Sequence, residues 1–199
     1  SSAASDVYKR QAVNEYADKF ESVAIAEPLL GEVGADATEI NADKEAVATA
    51  ITTEAVAAAG YDDAAAAAAD GTAFVFMGHG TSHTAKISYS QMQMTMQTLG
   101  YDNVFIGTVE GEPEDTACEA VIEKIKEAGY TKVVLRPLMV VAGDHANNDM
   151  YGDEEDSWKS MIEKMGVKTV GHLQGIGRNA AVQAIYVQHA VAAEAGVQR

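Results

Sequence analysis

Three apolar runs in this chain each deliver a polar side chain at their carboxyl end. Residues 73–77, Ala-Phe-Val-Phe-Met, run into Gly78-His79-Gly80-Thr81-Ser82-His83; residues 103–109 stop at Glu110; residues 133–142 open into Gly143-Asp144-His145, with Asn147, Asn148 and Asp149 following. Two imidazoles and a carboxylate are a donor set for a first-row divalent metal, with coordination positions left open to a substrate. They are exchangeable ligands, suited to a site that must release its ion, whereas thiolates would hold it too firmly. The single cysteine, Cys118, lies in a helical pattern and reads as a small buried hydrophobe. Asp144 and Asp149 are spaced to orient His145 through its second ring nitrogen. His83, four residues beyond His79, is a further candidate as proton acceptor or ligand. Any one of these histidines also fits a plainer reading, a loop hydrogen bond at a strand end. The argument for chemistry rests on three at equivalent places.

The runs that carry these residues barely alternate between apolar and polar, the pattern of strands buried on both faces of a parallel sheet. In an open parallel sheet the loops at the carboxyl ends line the ligand crevice. Strands are expected at 73–78, 103–109, 132–139 and 167–172, with helices at 84–99, 114–128, 156–165 and 179–193, an α/β alternation. Met92, Met94 and Met96 are spaced by two and scatter around their helix, which favours core packing over a metal role. Gly175-Ile176-Gly177-Arg178-Asn179 reads as a turn and cap, with a carboxylate contact as its second use. Upstream, residues 12–20 suit the end of a helix and residues 22–26 a short strand closed by Glu27-Pro28. Asn41 caps a helix that stops at Gly60, and residues 64–69 form an alanine-rich helical connector.

Met77-Gly78-His79-Gly80-Thr81, Val109-Glu110, and the block Pro137-Leu138-Met139-Val140-Val141-Ala142-Gly143-Asp144-His145-Ala146-Asn147-Asn148-Asp149-Met150, with Asp156-Ser157-Trp158-Lys159 after it, resemble the anaerobic sirohydrochlorin cobaltochelatase family, the CbiK type of class II chelatase. The resemblance covers roughly residues 12–195. It implies a chelatase-like fold in which two similar α/β domains with parallel sheets enclose a tetrapyrrole cleft. It implies Co2+ as the substrate ion, no organic cofactor, and sirohydrochlorin as the partner in cobalamin synthesis. By the same resemblance the metal is held by His79, Glu110 and His145. Asn14-Glu15-Tyr16 matches a Glu-Tyr pair of the family's first domain, which makes Glu15 a catalytic candidate facing the cleft.

The bounds on the chain agree with some of this and strain the rest. Its 199 residues allow one large or two small domains, 47% of them are apolar, and no run of 18 apolar residues exists. A net charge of −16 argues against nucleic acid and anionic membranes as partners, and it also opposes a polycarboxylate tetrapyrrole at long range. Lys86, Arg136 and Arg178 are the candidate cations for substrate carboxylates. Residues 1–11 read as a non-native tail, because Asp6-Val7-Tyr8-Lys9-Arg10-Gln11 resembles a translated sequencing adapter. Residues 12–71 then read as the remnant of a first α/β domain with its connector, and residues 72–199 as a second α/β domain carrying the metal site. Open sheet edges would favour a homo-oligomer. A cytoplasmic location is expected, a periplasmic one remaining open. Iron or nickel chelation and a non-catalytic metal- or tetrapyrrole-binding protein are the alternatives on the same scaffold, and a metal-dependent hydrolase is a third, disfavoured by the resemblance.

Overall fold

The computed structural model describes residues 3–196. In chain order they form α1 (Ala3–Tyr16), α2 (Ala42–Ala58), α3 (Ala64–Ala69), β1 (Thr72–Gly78), α4 (Ile87–Thr98), β2 (Val104–Thr108), α5 (Cys118–Glu127), β3 (Lys132–Pro137), α6 (Trp158–Glu163), β4 (Lys168–Gly171) and α7 (Ala180–Ala195). The four strands make one parallel sheet in the order β2-β1-β3-β4. Each expected strand and helix of residues 72–196 is present, and the bounds differ by a few residues. All seven residues of β1 are buried, as its unbroken apolar run requires of a central strand.

Alternate side chains of the strands supply two cores. Phe74, Phe76, Val104, Ile106 and Val134 face Val47, Ile51 and Val56 of α2, Met92 and Met96 of α4, and Val182 and Ile185 of α7. Ala73, Val75, Met77, Phe105, Val133 and Leu135 face Val121, Ile122 and Ile125 of α5 and Trp158 and Ile162 of α6. Burying one such Phe, Leu or Ile side chain contributes about 1.5–3 kcal/mol. Met92 and Met96 are fully enclosed, so their role is packing. The connections after β1 and β3 leave in opposite directions, toward β2 and toward β4, so a crevice opens between the carboxyl ends of these two neighbours.

Residues upstream of β1 depart from expectation in two respects. No strand forms at 22–26; the chain there has no regular secondary structure and is mostly exposed. A segment becomes a strand only where another strand lies alongside to accept its N–H groups, and none of the sheet's strands does so. Second, α2 and α3 share the core of the sheet, although the sequence assigns them to the first domain and its connector. The face presented by Phe74, Phe76 and Val104 needs an apolar cover, and α2 supplies it. Asn41 does cap α2, its side chain accepting the Lys44 N–H at 2.9 Å. No helix among the described residues is long and apolar enough to cross a membrane.

Gly107 in β2 admits the indole of Trp158, and a Cβ at this position would stand 2.1 Å from the ring. We expect Gly107→Ala to destabilise the fold by about 1–3 kcal/mol in urea denaturation. Gly143→Ala, with nothing within 4 Å of the added carbon, should stay within about 0.5 kcal/mol of the parent.

Candidate metal centre

The register of the sheet sets the strand ends that lead to the three proposed ligands side by side. β1 pairs Gly78 with Thr108 of β2 and Met77 with Pro137 of β3. Backbone bonding continues past the strand ends: Val109 N–H donates to Gly78 O at 3.0 Å, Glu110 N–H to His79 O at 2.9 Å, and Leu138 N–H to Met77 O at 2.7 Å. Gly80 turns the loop with a φ of +88°, and a Cβ there would meet the Glu110 Cβ at 2.9 Å. Glycine is thus required twice over, for the backbone angle and for the close approach of the Glu110 loop.

His79 and His145 meet edge to face, their ring centroids 4.6 Å apart and their planes at 88°. His79 Nδ1 lies 3.1 Å from Gly80 O, and His145 Nδ1 lies 2.6 Å from Asp149 Oδ2. A carbonyl and a carboxylate can only accept, so both bonds require the proton on Nδ1 and leave the Nε2 lone pairs free in the neutral rings. His145 leads into a single turn of π-helix, Ala146–Met150, anchored by buried Ala146 and Met150, which brings Asp149 to the Nδ1 edge of the ring. The expected orienting partner is therefore Asp149, while Asp144 is exposed.

Glu110 Oε1 stands 4.0 Å from His79 Nε2, and both side chains are about half exposed. Two ligands of one tetrahedral ion lie about 3.4 Å apart, given bonds of roughly 2.1 Å. Accordingly, no group of three His, Cys, Asp or Glu among the described residues stands closed for an ion. The gap is small enough for a rotation of the half-exposed Glu110 side chain to close. A cleft of about 590 Å³ opens beside His79, lined by residues 28–31, residues 138–141 and Ile176 on its apolar side and by Thr81, Ser88 and Tyr89 on its polar side.

The other candidates go elsewhere. Arg136 is buried beneath the sheet and donates to Glu54 Oε1 of α2 at 2.6 Å, so it is an internal ion pair and not a cation of the cleft. Its position in β3 explains this, because its side chain follows Val134 onto the α2 face. His83 is exposed, and its Nδ1 accepts the Ala85 N–H at 3.1 Å, capping the short helix Thr84–Lys86. Lys86 is bound to Glu112 at 2.6 Å. Arg178 is exposed outside the cleft lining, in the turn that leads to Asn179, the cap of α7. Glu15 is exposed on α1 and has no described contact with the histidines. Cys118 is buried, its thiol pushed up to about 12 first by burial and then by Glu119, as an inert core residue requires.

Tyr89 escaped the sequence reading. Its hydroxyl accepts the Gly80 N–H at 3.0 Å, and its ring lies where a Cβ of Gly78 would stand, 2.3 Å from the nearest ring carbon. The only signal in the sequence is its place early in the helix that returns from the His79 loop.

The family described as "CbiK: Cobalt chelatase (CbiK)" matches residues 7–194. A curated relative, the sirohydrochlorin cobaltochelatase of Salmonella typhimurium, is 41% identical over 115 residues, 58% of this chain and 42% of that protein. The sirohydrochlorin cobaltochelatase CbiKC of Nitratidesulfovibrio vulgaris is 34% identical over 121 residues, 61% of this chain and 42% of that protein. The matched part is thus about two fifths of each relative's length. A crystal structure of a putative cobalamin biosynthesis CbiX protein from Marinobacter aquaeolei superimposes with a TM-score of 0.47 at 18% identity, over 62% of this chain and 97% of that one.

His172, just after β4, has its pKa lowered, first by burial and then by the charge of Arg136. The unfolded chain therefore takes up a proton below the ordinary value of about 6.5 that the folded chain still refuses. Stability is complete above that pH and declines as the pH falls toward the lowered folded value. Urea midpoints measured from about pH 7.5 to 5 should decrease, and His172→Gln should flatten that decrease. An unchanged slope in the variant would assign the effect to other groups.

Proposed function

The chain belongs to the cobalt chelatase (CbiK) family, and we propose that it holds Co2+ on His79, Glu110 and His145 and delivers it into sirohydrochlorin, the cobalt-insertion step of cobalamin synthesis. The observation that carries the reading is the pair of imidazoles at 4.6 Å with both Nδ1 atoms engaged, which leaves two Nε2 lone pairs free in neighbouring rings beside the cleft. Insertion exchanges two pyrrolic N–H protons for one Co2+. As each pyrrole nitrogen displaces a protein ligand, the released imidazole or carboxylate becomes a base at the right distance to take the proton. Ligands of intermediate strength suit this handover. The donor set does not by itself select cobalt over iron or nickel; the names of the curated relatives favour cobalt.

The apolar wall of residues 138–141 and Ile176 offers a surface for one face of a macrocycle. Pressing the ring against such a wall would tilt a nitrogen lone pair toward the ion and lower the barrier by positioning. A cytoplasmic location, no organic cofactor, no nucleic-acid partner, and self-association through the open edges of β2 and β4 belong to the same proposal.

Two measurements on the full chain test it: calorimetric titration with Co2+, and the visible spectrum of sirohydrochlorin with Co2+ present. We expect one-to-one Co2+ binding that His145→Ala abolishes and Asp149→Asn weakens by about 10–100-fold, while His189→Ala on α7 leaves it unchanged. Spectral conversion with turnover supports the chelatase, and stoichiometric binding without conversion supports a non-catalytic carrier. A folded sample that takes up no Co2+ would remove the three-strand site altogether.

A further inference from the structure

The cleft beside His79 carries no Lys, Arg, Asp or Glu in its lining. Two of the cations nearest to it in sequence are already committed, Lys86 to Glu112 at 2.6 Å and Arg136 to Glu54 at 2.6 Å, and the third, Arg178, is exposed and not among the lining residues. Three hydroxyls do line it, those of Thr81, Ser88 and Tyr89. A hydroxyl has one hydrogen and two lone pairs, so accepting an N–H leaves its own hydrogen to donate. Tyr89 Oη accepts from Gly80 N–H at 3.0 Å, and Thr81 Oγ1 accepts from His83 N–H at 3.2 Å. Neither hydroxyl, nor that of Ser88, has an acceptor for its own hydrogen among the described residues.

Resting on the tetrapyrrole reading of the cleft, we propose that Thr81, Ser88 and Tyr89 form a neutral donor array that recognises peripheral carboxylates of the macrocycle, in place of cationic anchors. Bonds from a neutral hydroxyl to a carboxylate are charge-assisted and short, so three of them hold a carboxylate-bearing edge beside His79. The array also accounts for how a chain of net charge −16 takes a polycarboxylate ligand. A fixed cation beside the metal centre would compete with Co2+ for the carboxylate of Glu110 and repel the incoming ion; hydroxyls do neither. Specificity comes from geometry at short range, and no attraction operates at long range.

The test is equilibrium binding of metal-free sirohydrochlorin and of its methyl-ester derivative to the full chain, with salt varied from about 0.05 to 0.5 M. Sirohydrochlorin affinity should stay level or rise with salt, since only repulsion is screened. Ser88→Ala and Tyr89→Phe should each weaken sirohydrochlorin about tenfold and the ester by much less. Ser88 has no hydrogen-bond partner among the described residues, so its variant reads the contact without disturbing the Gly80 loop. Affinity that falls several-fold with salt, variants within twofold of the parent, or equal losses for acid and ester would each overturn the array. Co2+ titration of the unsubstituted chain reports separately on the metal centre, so a failure of that site is distinguishable from a failure of the hydroxyls.

Discussion

Backbone hydrogen bonds that outlast the strands hold this structure's site together. The Val109 and Glu110 N–H groups donate to Gly78 and His79, and the Leu138 N–H donates to Met77, so the parallel ladder of β1 with its two neighbours extends into the loops. A one-residue slip of either pairing would reverse which side chains face each core. Phe74 and Phe76 would exchange faces with Val75 and Met77, and the loops bearing His79, Glu110 and His145 would no longer meet. The chemistry of the crevice therefore depends on packing that takes place well below it.

Order at the crevice is graded. Each imidazole is fixed by a bond on Nδ1, yet His79 and Glu110 remain about half exposed and 4.0 Å apart. The proposed transfer of an ion to a stronger chelator would use this combination: donors held by their outer partners and one half-exposed carboxylate. The π-helical turn after His145 brings Asp149 back to the Nδ1 edge of the ring that opens the turn.

Charge in the fold is arranged so that the cations serve structure. Arg136, Glu54 and Asn179 tie β3, α2 and the start of α7 together beneath the sheet, with the bond from Asn179 to Glu54 at 2.5 Å. Lys44 is fully enclosed and donates to Leu30 O at 3.0 Å and Glu32 O at 2.7 Å, fixing the segment that forms one side of the cleft. Its pKa is lowered by burial, which outweighs the nearby Asp43.

What the sequence by itself determined is the part governed by local pattern. Unbroken apolar runs at 73–77 and 133–135 rich in β-branched and aromatic residues read as buried strands, the helical connections between them favour parallel pairing, and Gly-His-Gly and Gly-Asp-His at strand ends mark the loops of the crevice. Asn41 as a cap and Met92 and Met96 as core residues were legible for the same reason. Partnership between distant side chains was decided only by the tertiary structure. Nothing local tells Arg136 that Glu54 waits 82 positions upstream, or tells His83 that its ring will cap its own loop. Residues 22–26 have the composition of a strand and no neighbour to pair with, and Tyr89 becomes a cleft residue only because α4 folds back over Gly78. Pattern is read along the chain, whereas hydrogen-bond and charge partners are set by which surfaces the packed sheet brings together.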